Sequence, residues 1–211
     1  MSEKQATVFV VDDDSSVRKG LKRLLKSTGY GVEAFASAEE FLAYDSGCDE
    51  PACLVLDVQM PGLNGLNLQE KLVLQDYTRP IIFITGHGDI PASVRAMKKG
   101  AVEFLTKPFD DRELLDAVQE AIRKDLQIRN VLSERENVRL RLAALTPREH
   151  EVLTYVIAGL LNKQIAYILN ISEKTVKVHR GRVMEKTGVK SIAELVRLAD
   201  KAGIKPVEVS I

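Results

Sequence analysis

The sequence predicts a doubly wound α/β domain and a small all-α domain, joined by one long helix. Five short apolar segments recur at nearly even intervals in the first half of the chain, with helical spacing of apolar residues between them, which is typical of βα units and a parallel sheet. Neither Gly nor Pro occurs between Pro108 and Pro147, as expected of an uninterrupted helix, and a run of helix-start signals follows. We therefore expect domains at 1–122 and 143–211, with a helical linker at 123–142.

The predicted strands are apolar along most of their length, as parallel strands are when helices cover both faces of the sheet. They lie at Thr7–Val11, Gly31–Phe35, Cys53–Asp57, Pro80–Ile84 and Val102–Leu105. In the flavodoxin-like order of a five-stranded parallel sheet, the first and third strands are neighbours, and ligands bind beyond the carboxyl ends of the strands.

The linker is predicted to continue the last helix of the α/β domain, from about Asp111 towards Leu142. Asp125, Arg135 and Arg139 interrupt its apolar seam, so its second half is too polar for a buried core helix. Two interpretations stay open: a coiled coil that pairs two chains, and a solvated helical spacer.

Four N-caps predict the helices of the second domain, at Thr146, Asn162, Ser172 and Ser191. Thr146 and Ser191 are each followed three residues later by Glu, which completes a capping box. Four short helices in about 60 residues make a domain of a size that can fold alone.

The formal net charge of zero conceals an uneven distribution of charge. Residues 1–122 carry 13 Lys and Arg against 20 Asp and Glu, a net charge of −7, whereas residues 145–211 carry 11 against 7, a net charge of +4. This difference indicates separate tasks for the two domains, and the basic domain is expected to meet an anionic partner.

The composition excludes several classes of protein. The longest apolar runs are strand-sized, so no membrane span is expected, and the absence of a secretory signal predicts a cytoplasmic protein. Cys48 and Cys53 match no disulfide framework and no zinc spacing, so we expect reduced thiols without a role.

Three carboxylates are predicted to converge at the carboxyl edge of the sheet. Asp12 and Asp13 follow the first strand, and Asp57 ends the third. Such a cluster is costly unless it is protonated or binds a cation, and oxygen ligands favour a hard cation, for which Mg²⁺ fits best. The alternative is that acidic side chains only cap helices on a solvated rim, which is the preferred interpretation for Asp14.

A hydroxyl and an ammonium group are predicted at the same edge, from Thr85 after the fourth strand and Lys107 after the fifth. Beside a metal-bound carboxylate, these groups suit the oxygens of a phosphoryl group. Asp57 is then the nucleophile, since a carboxylate can attack phosphorus and form an aspartyl phosphate.

The segment from Asn162 to about Lys186 predicts a helix, a tight turn and a second helix, the arrangement of a helix-turn-helix whose second helix enters the major groove. Its basic side chains would contact phosphates while the centre of the helix reads base edges. The alternative is a charged face that meets only solvent. The candidate DNA contacts are Asn162, Lys163, Lys174, Thr175, Lys177, Val178, His179, Arg180 and Arg182.

The motifs of the acidic edge resemble the receiver domain of bacterial response regulators over residues 1–122. The matching segments are Val11-Asp12-Asp13-Asp14, Leu56–Gly62, Thr85-Gly86 and Lys107-Pro108-Phe109. The resemblance implies that Asp57 accepts a phosphoryl group from a sensor histidine kinase, and that Thr85 and Phe104 act as the switch. It also implies that Lys107 pairs with the phosphate and that the Lys107–Pro108 peptide bond is cis.

The same resemblance implies the ligands of Mg²⁺. These are Asp13, Asp57 and the backbone carbonyl of Gln59, with Asp12 acting through water. Gln59 and His87 occupy the two variable places thought to tune the lifetime of the phosphate.

The basic domain resembles the LuxR-type DNA-binding domain, and the order of the domains marks the NarL/FixJ family, with FixJ-like regulators most similar. The matching segments are Leu145–Glu149, Asn162–Ala166, Ile171–His179 and Glu194–Arg197. The family implies a homodimer, formed on phosphorylation, that binds an inverted repeat in promoter DNA and recruits RNA polymerase as an activator. Val94, Arg95 and Met97 are expected on or near the dimer face, and a chain that is already dimeric through the long helix stays an alternative.

Two other functions fit parts of the sequence. A metal-dependent phosphatase would use Asp57, but the Asp-x-Asp arrangement of such enzymes is missing because Gln59 stands two residues after it. A DNA-binding protein with a vestigial receiver conflicts with the intact set of acidic residues, Thr85 and Lys107. We therefore expect no enzymatic activity beyond phosphorylation and dephosphorylation of the receiver itself.

Overall fold

The computed structural model describes residues 6–44, 50–75, 77–86 and 90–207, apart from the side chains of Ile90 and Ala92. Cys48 and His87, both subjects of sequence predictions, lie outside the described residues. The strands are β1 (Thr7–Val11), β2 (Gly31–Phe35), β3 (Ala52–Asp57), β4 (Ile81–Thr85) and β5 (Glu103–Thr106). The helices are α1 (Ser15–Ser27), α2 (Ala38–Ala43), α3 (Gly65–Leu74), α4 (Ile90–Lys98), α5 (Asp111–Ala143), α6 (Pro147–Ile157), α7 (Asn162–Leu169), α8 (Glu173–Thr187) and α9 (Ile192–Lys201).

Within the described residues, the parallel strands form one sheet in the order β2-β1-β3-β4-β5. This confirms the predicted flavodoxin-like sheet, with strand ends displaced by at most one residue from those expected. The central strands β3 and β4 are buried along their whole length, because neighbouring strands and covering helices surround them. Their carboxyl ends therefore form a firmly held edge.

The sheet separates two apolar cores, because successive side chains of a strand point to opposite faces. Leu54 and Leu56 of β3 face a core that includes residues of α2, α3 and α4. Cys53 and Val55 face the other core, which includes residues of α1 and α5. Cys53 is a buried free thiol, and burial raises its pKa, which makes the thiol unreactive.

Helix α5 runs unbroken over Asp111–Ala143, which confirms the predicted long helix. Asp125, which interrupts its apolar seam, is only 1% exposed. The carboxylate of Asp125 accepts hydrogen bonds from the backbone N–H of Ala52 at 2.9 Å and from Nε of Arg129 at 2.7 Å. The polar interruption of the seam therefore fastens α5 to the start of β3.

A separate core lies among α6, α7, α8, α9 and the last turns of α5, to which Val138 and Leu142 contribute. The predicted N-caps Thr146, Ser172 and Ser191 are confirmed, since each side chain accepts a backbone hydrogen bond in the first turn of its helix.

The predicted N-cap at Asn162 is wrong. Helix α7 begins at Asn162 itself, and Leu161 is its N-cap. The backbone N–H of Leu161 donates to Oε1 of Gln164 at 2.8 Å, so Gln164 supplies the side-chain half of the cap. The side chain of Asn162 is bonded to Arg180 instead.

The chain separates into two compact units, Met1–Arg129 and Asn130–Ile211, and α5 contributes residues to both. The domain limits taken from the sequence, at residues 122 and 143, stay predictions. Among the described residues, no helix combines the length and the apolar character that crossing a membrane requires.

Candidate functional site

The register of the sheet brings the predicted acidic residues together. Val11 of β1 pairs with Leu56 of β3, so Asp12 and Asp57, which follow them, lie side by side at the carboxyl edge. Both side chains are buried: Asp12 is 0% exposed and Asp57 is 5% exposed. Two neighbouring carboxylates in such surroundings need compensating positive charge.

Lys107 supplies one positive charge to this pair. It directly follows β5, and its Nζ donates to Oδ2 of Asp12 at 2.7 Å and to Oδ2 of Asp57 at 2.6 Å. The peptide bond between Lys107 and Pro108 is cis, as the resemblance implies. A single ammonium group therefore bridges two carboxylates that would otherwise repel each other.

Burial and ion pairing have opposite effects on the pKa values of Asp12 and Lys107. Burial raises the pKa of Asp12, against the hydrogen bonds from Lys107 and the backbone of Asp14. It also disfavours the ammonium of Lys107, but the hydrogen bonds to Asp12 and Asp57 outweigh burial and raise the pKa of Lys107. Lys107 therefore stays charged at neutral pH.

The donor set at this edge fits a hard divalent cation. Asp12, Asp13 and Asp57 each offer a carboxylate oxygen within 4.8 Å of the others, and Asp13 is exposed. Three carboxylates against one ammonium leave an excess of negative charge, and oxygen ligands at this spacing suit Mg²⁺ that keeps some of its waters. The backbone N–H of Gln59 donates to Oδ1 of Asp57 at 2.9 Å, which places Gln59 beside the same carboxylate.

Asp14 has the capping role preferred from the sequence. It is the N-cap of α1, and its Oδ1 accepts from the backbone N–H of Ser16 at 2.7 Å and of Val17 at 3.4 Å. Its carboxylate thus serves the start of a helix.

The two predicted switch residues lie on adjacent strands. Thr85 ends β4, is 1% exposed, and its carbonyl accepts from the backbone N–H of Lys107 at 2.6 Å. Phe104 of β5 is half-buried, with its ring centroid 6.0 Å from that of Phe83. Both residues are therefore packed into the strands next to the acidic edge.

Two residues that support the acidic edge, Gly65 and Arg18, were not predicted from the sequence. The N–H of Gly65, the first residue of α3, donates to the carbonyl of Val58 at 3.1 Å, and a Cβ at Gly65 would lie 2.2 Å from the carbonyl oxygen of Asp57. Nη1 of Arg18 donates to the backbone carbonyl of Asp12 at 2.6 Å. The sequence offers one signal for the role of Gly65, which is its position directly after Asn64, a residue type favoured as a helix N-cap.

The second unit presents the predicted helix-turn-helix. Asn170 ends α7 in the left-handed conformation, with φ of 51°, and α8 follows after two residues. Lys174, Lys177 and Arg182 are exposed and form no ion pair or hydrogen bond with other described residues. Lys163 is similarly exposed in the first turn of α7, so basic groups are available to an anionic partner.

The other predicted DNA contacts differ in their exposure and in their hydrogen-bond partners. Val178 is 46% exposed, and Thr175 is half-buried and bonded to the cap residue Ser172. His179 is half-buried, and its Nδ1 is buried without a hydrogen-bond partner in the described part of the chain. Arg180 is half-buried, and its Nη1 donates to Oδ1 of Asn162 at 2.9 Å.

An ion pair fastens the far end of α8 to the start of α6. Nζ of Lys186 donates to Oε2 of Glu149 at 2.6 Å, and the same oxygen accepts from the backbone N–H of Thr146 at 2.9 Å. These bonds, the one from Lys186 first, lower the pKa of Glu149 from 4.5 to about 2.

Both halves of the chain match known protein families. Residues 8–119 match the response regulator receiver domain. Residues 143–199 match the bacterial regulatory proteins of the luxR family.

Curated relatives cover nearly the whole chain. Nodulation protein W of Bradyrhizobium diazoefficiens is 49% identical over 200 residues, which are 95% of this chain and 88% of that protein. The transcriptional regulatory protein FixJ of the same organism is 43% identical over 197 residues, which are 93% of this chain and 96% of that protein. The response regulator protein TodT of Pseudomonas putida is 44% identical over 201 residues, with coverage of 95% and 88%.

Solved structures are similar to this chain over the same length. The response regulator StyR matches with a TM-score of 0.89 at 49% identity, over 93% of this chain and 99% of that chain. Full-length FixJ from B. japonicum matches with a TM-score of 0.57 at 43% identity, over 94% of this chain and 97% of that chain.

Proposed function

The chain belongs to the FixJ-like response regulators of the NarL/FixJ family, and from this premise we propose that phosphorylation of Asp57 controls its binding to promoter DNA. A sensor histidine kinase is the phosphoryl donor. One carboxylate oxygen of Asp57 attacks phosphorus, the bond from phosphorus to the imidazole nitrogen of the donor breaks, and the imidazole leaves. The product is an aspartyl phosphate on the receiver.

The observation that carries this proposal is the bridge from Lys107 to both buried carboxylates. It holds an ammonium group beside Asp57, where the transferred phosphoryl oxygens need positive charge. Asp12, held by Lys107 and by the backbone N–H of Asp14 at 2.8 Å, keeps the edge acidic without itself facing solvent.

Mg²⁺ bound at this edge would neutralise charge on the phosphoryl oxygens during transfer. Asp13, Asp57 and the Gln59 carbonyl would hold it directly, and Asp12 would act through water. Lys107 pairs with the phosphate afterwards, while Thr85 turns its hydroxyl towards the same oxygens.

The signal then passes from β4 and β5 to a dimer face. Phe104 moves inward with Thr85, and the face formed by α4, β5 and α5 changes its affinity for a second copy of the chain. Val94 and Met97 are 46% and 45% exposed on α4, so apolar surface is available there. A ligand shifts such an equilibrium only by its difference in affinity for the two states.

The homodimer binds an inverted repeat in promoter DNA and recruits RNA polymerase as an activator. The exposed basic side chains of α8 and Lys163 contact phosphates, and the centre of α8 reads base edges in the major groove. Of the nine contacts predicted from the sequence, we assign eight to the DNA face and set Arg180 apart because its Nη1 donates to Asn162. The eight are Asn162, Lys163, Lys174, Thr175, Lys177, Val178, His179 and Arg182. The family is generally not enzymatic, and the receiver acts only on its own phosphoryl group.

Sedimentation of the chain with and without acetyl phosphate and Mg²⁺ tests the proposed dimerisation. We expect the dimer fraction to rise with acetyl phosphate, and Asp57→Asn to abolish the rise. Met97→Asp should also abolish it, because a charge would be buried in the dimer face, whereas Leu74→Asp, at an 85% exposed residue of α3, should leave it intact. A dimer fraction unaffected by phosphorylation in the wild type would favour the alternative of a constitutive dimer.

A further inference from the structure

Arg180 does not share the exposed face of α8 with the other basic residues. It lies four residues after Val176 and three before Val183, which are 0% and 1% exposed. Residues at this spacing form one stripe of a helix, so Arg180 belongs to the side of α8 that faces the core. With Val156, Val183, Met184, Ile192 and Leu195, it lines a small cavity of 180 Å³.

The guanidinium group of Arg180 reaches from this stripe to α7. Its Nη1 donates to Oδ1 of Asn162 at 2.9 Å, across 18 residues of sequence. Asn162 is the first residue of α7 and adjoins Lys163, an expected phosphate contact. The bond therefore joins the middle of the recognition helix α8 to the turn of α7 that faces the DNA backbone.

We infer that Arg180 is a positioning residue for DNA binding, which sets the first turn of α7 against α8 through Asn162 and neutralises no phosphate itself. The inference rests on the proposed DNA face of α8. A hydrogen bond from a charged donor to a side-chain amide is stronger than a neutral one, and Asn162 makes no helix cap that would hold it otherwise. Loss of the bond would leave α7 and α8 folded. The first turn of α7 would then be held less firmly in the position in which it contacts the DNA backbone while α8 occupies the major groove.

The salt dependence of DNA binding separates this role from a phosphate contact. The logarithm of the binding constant falls with the logarithm of salt concentration by about 0.9 for each phosphate that the protein neutralises. The probe is a random-sequence DNA duplex bound to the full chain, and the variants are Arg180→Met, Asn162→Ala and their combination. Lys177→Met, at an exposed position of the DNA face, is the matched control.

We expect Arg180→Met to weaken binding roughly threefold to tenfold, the range of one net hydrogen bond, with the salt slope unchanged. Asn162→Ala should weaken binding at least as much, because it removes the same bond and also the proposed contact of Asn162 with DNA. The double variant should be no weaker than Asn162→Ala alone, because the bond is already lost in that variant. Arg180→Lys, which keeps one donor, should recover part of the affinity. Lys177→Met should lower the slope by about 0.9 for each copy of the chain on the DNA.

Circular dichroism at the temperature of the assay shows whether each variant is folded. If Arg180 served only the stability of the domain, the folded Arg180→Met variant would bind DNA with unchanged affinity. That result would overturn the inference. The inference would also be overturned if Arg180→Met lowered the salt slope and its effect added to that of Asn162→Ala. Arg180 would then be a direct phosphate contact. An unchanged slope for Lys177→Met would instead contradict the proposed DNA face.

Discussion

Gly65 shows how closely Asp57, the proposed phosphoacceptor, is packed. A Cβ added to Gly65 would come within 2.2 Å of the carbonyl oxygen of Asp57. Real Cβ atoms do not approach backbone oxygen so closely, so either α3 or the end of β3 must move. The position of Asp57 is therefore set by a residue that has no side chain.

We expect Gly65→Ala to destabilise the first unit by about 1–3 kcal/mol, the usual cost of overpacking, and to slow phosphorylation because Asp57 is displaced. Urea unfolding followed by circular dichroism measures the stability. Gly20→Ala is the matched control: a Cβ at Gly20 of α1 meets nothing within 4 Å, so this change should stabilise by about 0.5–1 kcal/mol. Equal effects of the two substitutions would contradict this description of Gly65.

The principal residues of the acidic edge were predictable because strand ends carry them. Asp12, Asp57 and Lys107 each adjoin a strand with a clear apolar pattern, and the order of a parallel sheet brings such ends together. Gly65 and Arg18 were not predicted, because their contacts are with backbone carbonyls whose direction no sequence pattern reveals. Arg180 was assigned to the basic face by residue type, and its hydrogen bond to Asn162 could not be predicted because the two residues lie 18 positions apart.

The helices of the second unit are held together by polar bonds at their ends. Glu149 completes the capping box of α6 and also receives Lys186 from the last turn of α8. The capping box was predictable from Thr146 and the spacing of three, whereas Lys186 lies 37 residues away and carries no local signal. The depressed pKa of Glu149 makes this link dependent on pH.

Because the pKa of Glu149 is lowered from 4.5 to about 2, its ion pair contributes stability that is fully present above about pH 4.5 and is lost as the pH falls towards 2. Glu149→Gln should therefore be less stable than the wild type at neutral pH, and the difference should shrink over this interval. Urea unfolding of the full chain at a series of pH values measures it. Glu173→Gln, in the exposed first turn of α8, should show no such convergence, and a constant difference for Glu149→Gln would contradict the role given to the pair.

Helix α5 shows what sequence periodicity can and cannot predict. Its length followed from the absence of Gly and Pro, and the structure confirms it. The role of Asp125 did not follow, since its partner Ala52 lies 73 residues away and a polar residue on an apolar seam resembles an interruption. The same holds for Asn162, which has the residue type of an N-cap but lies one position inside α7.

The whole chain combines an acidic receiver unit, which we propose accepts the phosphoryl group, with a basic unit of the luxR type. Each unit encloses its own core, so the fold of each unit can persist while the proposed phosphorylation changes how two chains associate. On α5, Ile128 and Leu132 are 37% and 48% exposed, which keeps both interpretations of the long helix open. The order and type of the domains were predictable because each has its own periodicity and caps.

Phosphorylation of Asp57 is the step on which the proposed function of the whole chain depends. The intact mass of the protein after incubation with acetyl phosphate and Mg²⁺, followed through a series of short times by acid quenching, measures it. We predict one phosphoryl adduct on the wild type and on Asp14→Asn, which retains a good helix cap. Asp57→Asn should form none, and omission of Mg²⁺ should abolish the adduct on the wild type. An adduct on Asp57→Asn, or none on the wild type at any time, would contradict the assignment of Asp57 as the phosphoacceptor.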